Sequence, residues 1–212
     1  MSAQPPPTTA TPASRPSAPS WRRHPAVLRL RGWATGLAAT VQRVRIGPPR
    51  LPPRVDSLLF VCKGNICRSP FAAFEASTQA RAAGLTVTST SAGLKPSQAR
   101  ACPDEAVAAA TAYGHDLRDW RPIPLSDELM AGSDLIVVME AQQLDEVRRR
   151  WPGHRDKVVL LALFGPPPAD AWSRINIRDP FGRDRAAFDA CYTRIAAALG
   201  DMCARLPGTV RR

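Results

Sequence analysis

The first 54 residues of this 212-residue chain contain no lysine, no aspartate and no glutamate, yet they hold nine arginines and 11 of the 22 prolines. A segment of that makeup buries too little apolar surface to fold by itself. Residues 1–54 therefore read as a disordered or partly helical basic Pro/Arg-rich extension. They carry +9 of the formal net charge of +11, and residues 55–212, with 20 basic and 18 acidic side chains, are nearly neutral. The high overall charge thus says little about what the folded part binds, and no nucleic-acid partner is expected. No stretch approaches the roughly 18 to 20 uncharged apolar residues that a spanning helix needs, and no secretory signal of standard layout is evident. Five cysteines, an odd number, argue against a disulfide-built secreted fold and for a reducing compartment, so a cytoplasmic protein is expected. Cys102, Cys191, Cys203 and the three histidines (His24, His115, His154) lack metal-ligand spacing, so neither a metal nor a cofactor is expected.

Within the extension, residues 2–20 are rich in Pro, Ser, Thr and Ala and should be disordered. Residues 26–46 have the pattern of a basic amphipathic helix interrupted by Gly32 and Gly36. Residues 22–46 could thereby make weak contact with an anionic membrane or an acidic partner. A bland solvated tail, a start codon assigned too early, or an arginine-rich transit leader are the alternatives. Residues 55–206 suit one compact domain, and 207–212 a flexible tail.

What is present is concentrated between residues 58 and 70, which read L-L-F-V-C-K-G-N-I-C-R-S-P. A thiol, Cys62, ends an apolar run, and Arg68 follows six residues later at the start of a helical pattern. A chain that reverses between strand and helix within about six residues turns several amides inward. They form an anion-binding nest that the helix N-terminus reinforces. Gly64 lets the backbone approach a ligand, and Asn65 tolerates positive φ. Arg68 offers a planar fork for two phosphoryl oxygens. This positive potential is expected to lower the Cys62 pKa and leave a nucleophilic thiolate, with the Ser69 hydroxyl as a further donor to it. Lys63, Gly64, Asn65, Ile66, Cys67, Arg68 and Ser69 are the expected phosphate-binding residues. A C-x5-R spacing alone would be weak; set between a strand and a helix, the longer string is strong.

The string V-C-K-G-N-I-C-R-S-P resembles the signature of the low-molecular-weight protein tyrosine phosphatase family. Two further elements support the resemblance, which runs from Asp56 to about Leu206. Arg178-Asp179-Pro180-Phe181-Gly182 matches the family's D-P-[FY] loop, and Ser91-Ala92-Gly93 its S-A-G. The resemblance implies phosphotyrosine hydrolysis through a cysteinyl-phosphate, with Cys62 as nucleophile, Arg68 stabilising the phosphoryl oxygens, and Asp179 as general acid and then base. Protonating the departing oxygen as the ester breaks gives that carboxyl its purpose. The resemblance also implies that Ser91 hydrogen-bonds Asn65 and that Phe181 and Leu94 flank the substrate. Cys67 would be a redox partner able to form a reversible disulfide with Cys62. A tyrosine-phosphorylated protein, such as a bacterial tyrosine kinase, is the expected partner.

Departures from the family pattern bear on specificity. Phe181 is followed by Gly182, leaving one aromatic wall, and Leu94-Lys95-Pro96-Ser97 lacks the tryptophan of some animal members. Family members acting on phosphoarginine have threonine at the position of Ile66, which tilts this chain toward phosphotyrosine. Three rival readings remain: a phosphoarginine phosphatase, an arsenate reductase of the same fold, and a catalytically silent phosphopeptide-binding module. The reductases need two further cysteines in a mobile segment, and Cys102, Cys191 and Cys203 do not form that pair.

The rest of the chain alternates between strand and helix patterns. Strands are expected over residues 57–61, 85–89, 134–139 and 158–163, and helices over 70–83, 103–113, 140–151 and 185–206. Strands separated by helices of this length imply an α/β domain with a parallel sheet flanked on both faces. The family resemblance sets the strand number at four, with the phosphate-binding loop after the first strand. Met139 is expected in the core, Trp120, Trp151 and Trp172 in core or rim packing, and Arg148 to Arg150 on a solvated helix face.

Overall fold

The computed structural model describes residues 49–97 and 99–207. The expectations for residues 1–48, including disorder over 2–20 and a helix or contact over 22–46, and for 208–212 of the tail, lie outside the described residues. Packing begins before the expected boundary at residue 55, because Leu51 rests against the core cluster that contains Val55.

Strand β1 (Ser57–Cys62) is buried from its second residue to its last, as an apolar run at the centre of a sheet should be. It pairs in parallel with β2 (Thr88–Gly93) on one side and β3 (Leu135–Val138) on the other, and β3 pairs in parallel with β4 (Val158–Leu160). The order is β2-β1-β3-β4, so the first strand is interior and its carboxyl end lies between two neighbours. Crossovers run through helices α1 (Arg68–Ala82), α2 (Asp104–Thr111), α3 (Asp127–Ala131) and α4 (Ala141–Arg150), and α5 (Arg185–Arg205) closes the chain.

Period-2 alternation along the strands divides the core in two. Leu58, Phe60, Cys62, Leu135, Val137 and Val159 face α1, α2 and α5, meeting Phe71, Ala106, Phe188, Tyr192 and Leu199. Leu59, Val61, Ile136, Val138, Val158 and Leu160 face α3 and α4, meeting Met130, Leu144 and Val147. Small residues bring α1 close to its neighbours: Ala72, Ala76 and Ala80 are fully buried, and Phe71 stacks on Tyr192 of α5 at 3.9 Å and 3°. Helices thus cover both faces of a four-stranded parallel sheet, as expected.

Two strands and two short helical segments depart from the sequence expectation. The second strand is Thr88–Gly93 rather than 85–89, because the S-T-S-A-G string, poor in apolar signal, takes the pairing from Ser57↔Thr88 to Cys62↔Gly93. Leu85 instead closes α1, its N–H bonding the Ala80 carbonyl at 2.9 Å. The fourth strand stops at Leu160, and Leu161–Leu163 turn into a 3-10 segment. Helix α3 was not expected, although its Ser126 cap, which accepts from the Leu129 N–H at 3.4 Å, followed by Asp127 and Glu128, is a readable helix start. The 3-10 turn at Pro152–Lys157 was not expected either.

Candidate active site

Cys62 is the last residue of β1, and the chain turns through Lys63–Cys67 into α1. Two donors reach its sulfur: the Asn65 N–H at 3.2 Å and the Ser69 hydroxyl at 3.0 Å. Asn65 makes the turn possible. Its φ of 55° is the only positive value outside glycine among the described residues, and asparagine tolerates that region better than most side chains. Fully buried, it is held from every side: Nδ2 donates to Ser69 Oγ at 2.9 Å and to Ser91 Oγ at 2.8 Å. Its Oδ1 accepts from the Ile123 N–H at 2.7 Å, and its carbonyl accepts from Trp120 Nε1 at 2.8 Å.

The entry to α1 is polarised toward the same point. Cys67, at the N-cap, makes no side-chain cap, and the first turn carries no acidic residue. The helix therefore opens on N–H groups and the positive end of its dipole. Gly93 makes the close approach possible from the other side. A Cβ on it would lie 3.1 Å from Asn65 Cβ and 3.2 Å from the Gly64 carbonyl carbon, so the S-A-G string ends in the one residue that fits beneath the loop.

Arg68 is 1 % exposed. Its Nη1 donates to Glu140 Oε1 and, at 2.8 Å, to the Ile177 carbonyl; its Nη2 pairs with Asp179 Oδ2 at 2.8 Å; its Nε has no partner. Burial works against the charged guanidinium, but the negative charges of Cys62, Asp179 and Glu140 outweigh it and hold the pKa above its ordinary value. Asp179 arrives here because the chain beside it is tied to the end of β3: the Ile177 N–H donates to the Met139 carbonyl at 2.8 Å, and the Ala141 N–H to Asn176 Oδ1 at 2.9 Å. The Phe181 N–H then donates to Asp179 Oδ1 at 3.2 Å, closing a tight turn at Pro180.

Cys62, Lys63, Gly64, Ile66, Cys67 and Arg68 line one cleft of about 200 Å³, together with Asp179 and Phe181 from the distant D-P-F loop. The structure thus brings nucleophile, arginine and carboxylate candidates together across 117 residues of sequence. Phe181 is 48 % exposed and forms a wall of the mouth. Asn65 and Ser69 stand behind the sulfur and brace it, and Ser91 lies behind Asn65. Leu94 is not on the rim: it is buried in the core cluster on the α3/α4 face, because its N–H continues the β1–β2 pairing onto the Cys62 carbonyl at 3.0 Å. Lys95 and Arg100 take the place expected of it, with the Arg100 guanidinium 5.6 Å from the centre of the Phe181 ring.

All five cysteines are buried free thiols. Burial, with the nearby Cys62 and Asp179 charges, pushes the Cys67 thiol far up, so it stays protonated. Burial similarly pushes Cys102 and Cys191 up to about 12 and Cys203 up to about 11. Sequence reasoning missed Glu140, Lys95, Arg100, Trp120, Ile123 and Tyr192, whose hydroxyl donates to the Cys67 carbonyl at 3.1 Å. Glu140 alone left a signal: an acidic residue just past the strongest strand pattern, at the carboxyl end of the sheet where ligands of parallel sheets bind. Among the described residues no group of three or more His, Cys, Asp or Glu side chains could hold a metal ion.

A parallel α/β sheet with a cysteine at the carboxyl end of its first strand, under a loop and arginine shaped for an oxyanion, defines a phosphate-loop protein of cysteine type. The chain belongs to the low molecular weight phosphotyrosine protein phosphatase family, whose profile matches residues 57–211. It is 35% identical over 139 residues to the probable low molecular weight protein-tyrosine-phosphatase AmsI of Erwinia amylovora, covering 65% of this chain and 88% of that one. The crystal structure of the Erwinia amylovora tyrosine phosphatase AmsI matches with a TM-score of 0.63 and 31% identity, over 72% of this chain and 93% of that one. A protein-arginine-phosphatase of Bacillus subtilis is 33% identical over 125 residues, covering 59% of this chain and 79% of that protein.

Proposed function

We propose that the chain is a protein tyrosine phosphatase that hydrolyses phosphotyrosine through a cysteinyl-phosphate. The observation that carries this is the single cleft shared by Cys62, Arg68 and Asp179, with two donors on the Cys62 sulfur. In the first step Cys62 Sγ attacks phosphorus and the P–O bond to the tyrosyl oxygen breaks. Asp179 gives its proton to that oxygen, and the phosphoryl group passes to sulfur. In the second step Asp179 takes a proton from water, whose oxygen displaces sulfur and releases inorganic phosphate. The Nε and Nη2 edge of Arg68 faces the transferred oxygens, with Nη2 exchanging its contact with Asp179 for one with substrate. Stabilising charge on those oxygens is the main demand that phosphoryl transfer makes on a protein.

Phosphotyrosine fits this cleft better than phosphoarginine. Phe181 offers a wall for a phenol ring, and Ile66 lines the cleft without a hydroxyl. Lys63, Lys95 and Arg100 set positive charge around the mouth, which opposes a guanidinium-bearing substrate and favours acidic residues beside the phosphotyrosine. A phenol, with a pKa of about 10, also leaves more readily than a serine alkoxide. The partner is accordingly a tyrosine-phosphorylated protein, a bacterial tyrosine kinase being the expected kind, in the reducing cytoplasm that five free thiols suit.

The test is hydrolysis of phosphotyrosine, phosphoserine and phosphoarginine peptides side by side, with arsenate reduction as control. Release of phosphate from phosphotyrosine alone is expected, with Cys62→Ser inactive but still binding phosphate. Turnover by that variant, or preferential cleavage of phosphoarginine, overturns the reading.

A further inference from the structure

A larger cavity, of about 360 Å³, lies on the other side of the D-P-F loop, and the catalytic scheme does not use it. Asp179 lines both spaces, so the loop is a wall between them. The volume falls in the range of small-molecule sites, roughly 300 to 1,000 Å³, which the 200 Å³ catalytic cleft does not reach. Three arginines, Arg178, Arg183 and Arg194, line it against one acidic residue, Asp179, which is committed to Arg68. Pro180, Ala187 and Ala190 supply apolar surface between them.

Arg194 carries the second observation. Its Nη2 donates to the Ser173 carbonyl at 2.9 Å and its Nη1 to the Pro166 carbonyl at 3.4 Å, which fixes the plane of the group. Its Nε is then left buried without an acceptor, and Asp170, whose charge acts on both Arg194 and Arg178, does not bond it. A buried donor without a partner is costly, more so on a charged group. Arg68 Nε is orphaned in the same way on the catalytic side, where an oxyanion is expected. Arg148 Nε is a third such orphan, so the orphan marks no site; what sets Arg194 apart is that the residue lines an arginine-rich cavity of ligand size.

We infer that this cavity is a second anion site, taking a small organic carboxylate with a flat apolar body, bound by Arg178, Arg183 and Arg194 with its apolar part against Pro180, Ala187 and Ala190. Guanidinium forks match a carboxylate in two-point contact, and the apolar lining rejects fully hydrated inorganic ions in favour of an aromatic acid. The site goes beyond the hydrolytic reading and stands whether or not the chain cleaves phosphotyrosine.

The experiment is 19F NMR of 4-fluorobenzoate with the full chain, which needs no turnover. Line broadening that saturates with ligand is expected for wild type and for Arg100→Glu, which alters only the rim of the catalytic cleft. At least tenfold weaker binding is expected for Arg183→Glu, an exposed reversal on the cavity, and for Ala190→Trp, which fills it from the exposed side of α5. Hydrolysis of p-nitrophenyl phosphate by Ala190→Trp within about twofold of wild type, or an unaltered far-UV spectrum should wild type itself prove inactive, establishes that the variant folds. Should Ala190→Trp not fold, Arg183→Glu alone decides. Absence of broadening, equal binding by wild type and the folded cavity variants, or loss in Arg100→Glu alone overturns the proposal. The last pattern would place the benzoate in the catalytic cleft.

Discussion

Replacing Asn65 separates the two physical roles that this residue combines, its backbone conformation and its hydrogen bonds. Asn65→Gly keeps the left-handed turn and deletes the three side-chain bonds to Ser69, Ser91 and the Ile123 amide. At about 0.5–1.5 kcal/mol net for each, the expected loss is about 1.5–4.5 kcal/mol. Asn65→Ala deletes the same bonds and must also hold an L side chain at φ 55°, which costs about 1–2 kcal/mol more and is offset by only about 0.4–1 kcal/mol of unfolded-state entropy. Alanine should therefore be the less stable of the two, inverting its usual advantage over glycine. Asn65→Asp keeps an acceptor for Ile123 but gives Ser69 a carboxylate to donate to in place of the Cys62 sulfur. That variant should lose turnover more than stability. Urea midpoints and kcat/KM for p-nitrophenyl phosphate measure both effects. Alanine at or above the stability of glycine, or aspartate with wild-type turnover, would refute the bracing role.

Asp179→Ala should slow p-nitrophenyl phosphate modestly and phenyl phosphate by a further tenfold or more, because only the poorer leaving group needs the proton; a series of substituted phenyl phosphates reads the slope. Gly93→Ala forces a Cβ to within 3.1–3.2 Å of the loop at Asn65 and Gly64, and overpacking of that kind costs about 1–3 kcal/mol. Thermal unfolding should fall by several degrees and turnover with it, whereas Gly153→Ala, with open space around it, should change neither. Asp134 is held below its ordinary value near 3.8 chiefly by the Asp56 N–H, aided by the hydroxyl and N–H of Ser57. A depressed carboxylate contributes stability that is present above its unfolded pKa and lost as the pH falls through the folded one. Asp134→Asn should thus be most destabilised at neutral pH and converge on wild type in acid, as urea melts from pH 7 to 2.5 would show. Under hydrogen peroxide, Cys62 oxidised to a sulfenic acid should condense with the Cys67 thiol, releasing water and forming a disulfide. Activity should then return with dithiothreitol in wild type and stay lost in Cys67→Ser, where a second peroxide takes the uncaptured sulfenic acid on to the sulfinic acid.

The parts of this fold legible in the sequence are those where one physical requirement dominates. Val61 to Pro70 could be read because a reversing backbone, a left-handed residue and a helix start must coincide there. L-I-V-V announces β3 because a strand buried on both faces needs a continuous apolar run. The second strand was displaced for the opposite reason: its end, Ser91 to Gly93, is small where it meets the loop at Asn65 and Ser69, and small residues carry no strand signal. Leu94 was misplaced on the rim because one residue of register decides which face a side chain takes. Lys95 and Arg100 were invisible because their place at the mouth depends on where a loop without regular structure crosses the cleft.

Glu140 shows how a residue outside every recognised motif can set the chemistry within one. A guanidinium that is 1 % exposed needs compensating charge, and Glu140 supplies it on Nη1, together with the Ile177 carbonyl. With that edge occupied, the Nε and Nη2 edge is the one left to face the cleft, where only Asp179 touches it, through Nη2. Under the proposed mechanism a phosphoryl group entering the cleft competes with Asp179 for that edge, and binding substrate releases the acid from its ion pair. The released carboxyl is free to meet the departing oxygen only when there is an ester to cleave. Arg68 thereby links occupancy of the cleft to the position of the acid, and Glu140 keeps the guanidinium in place while its other partner changes.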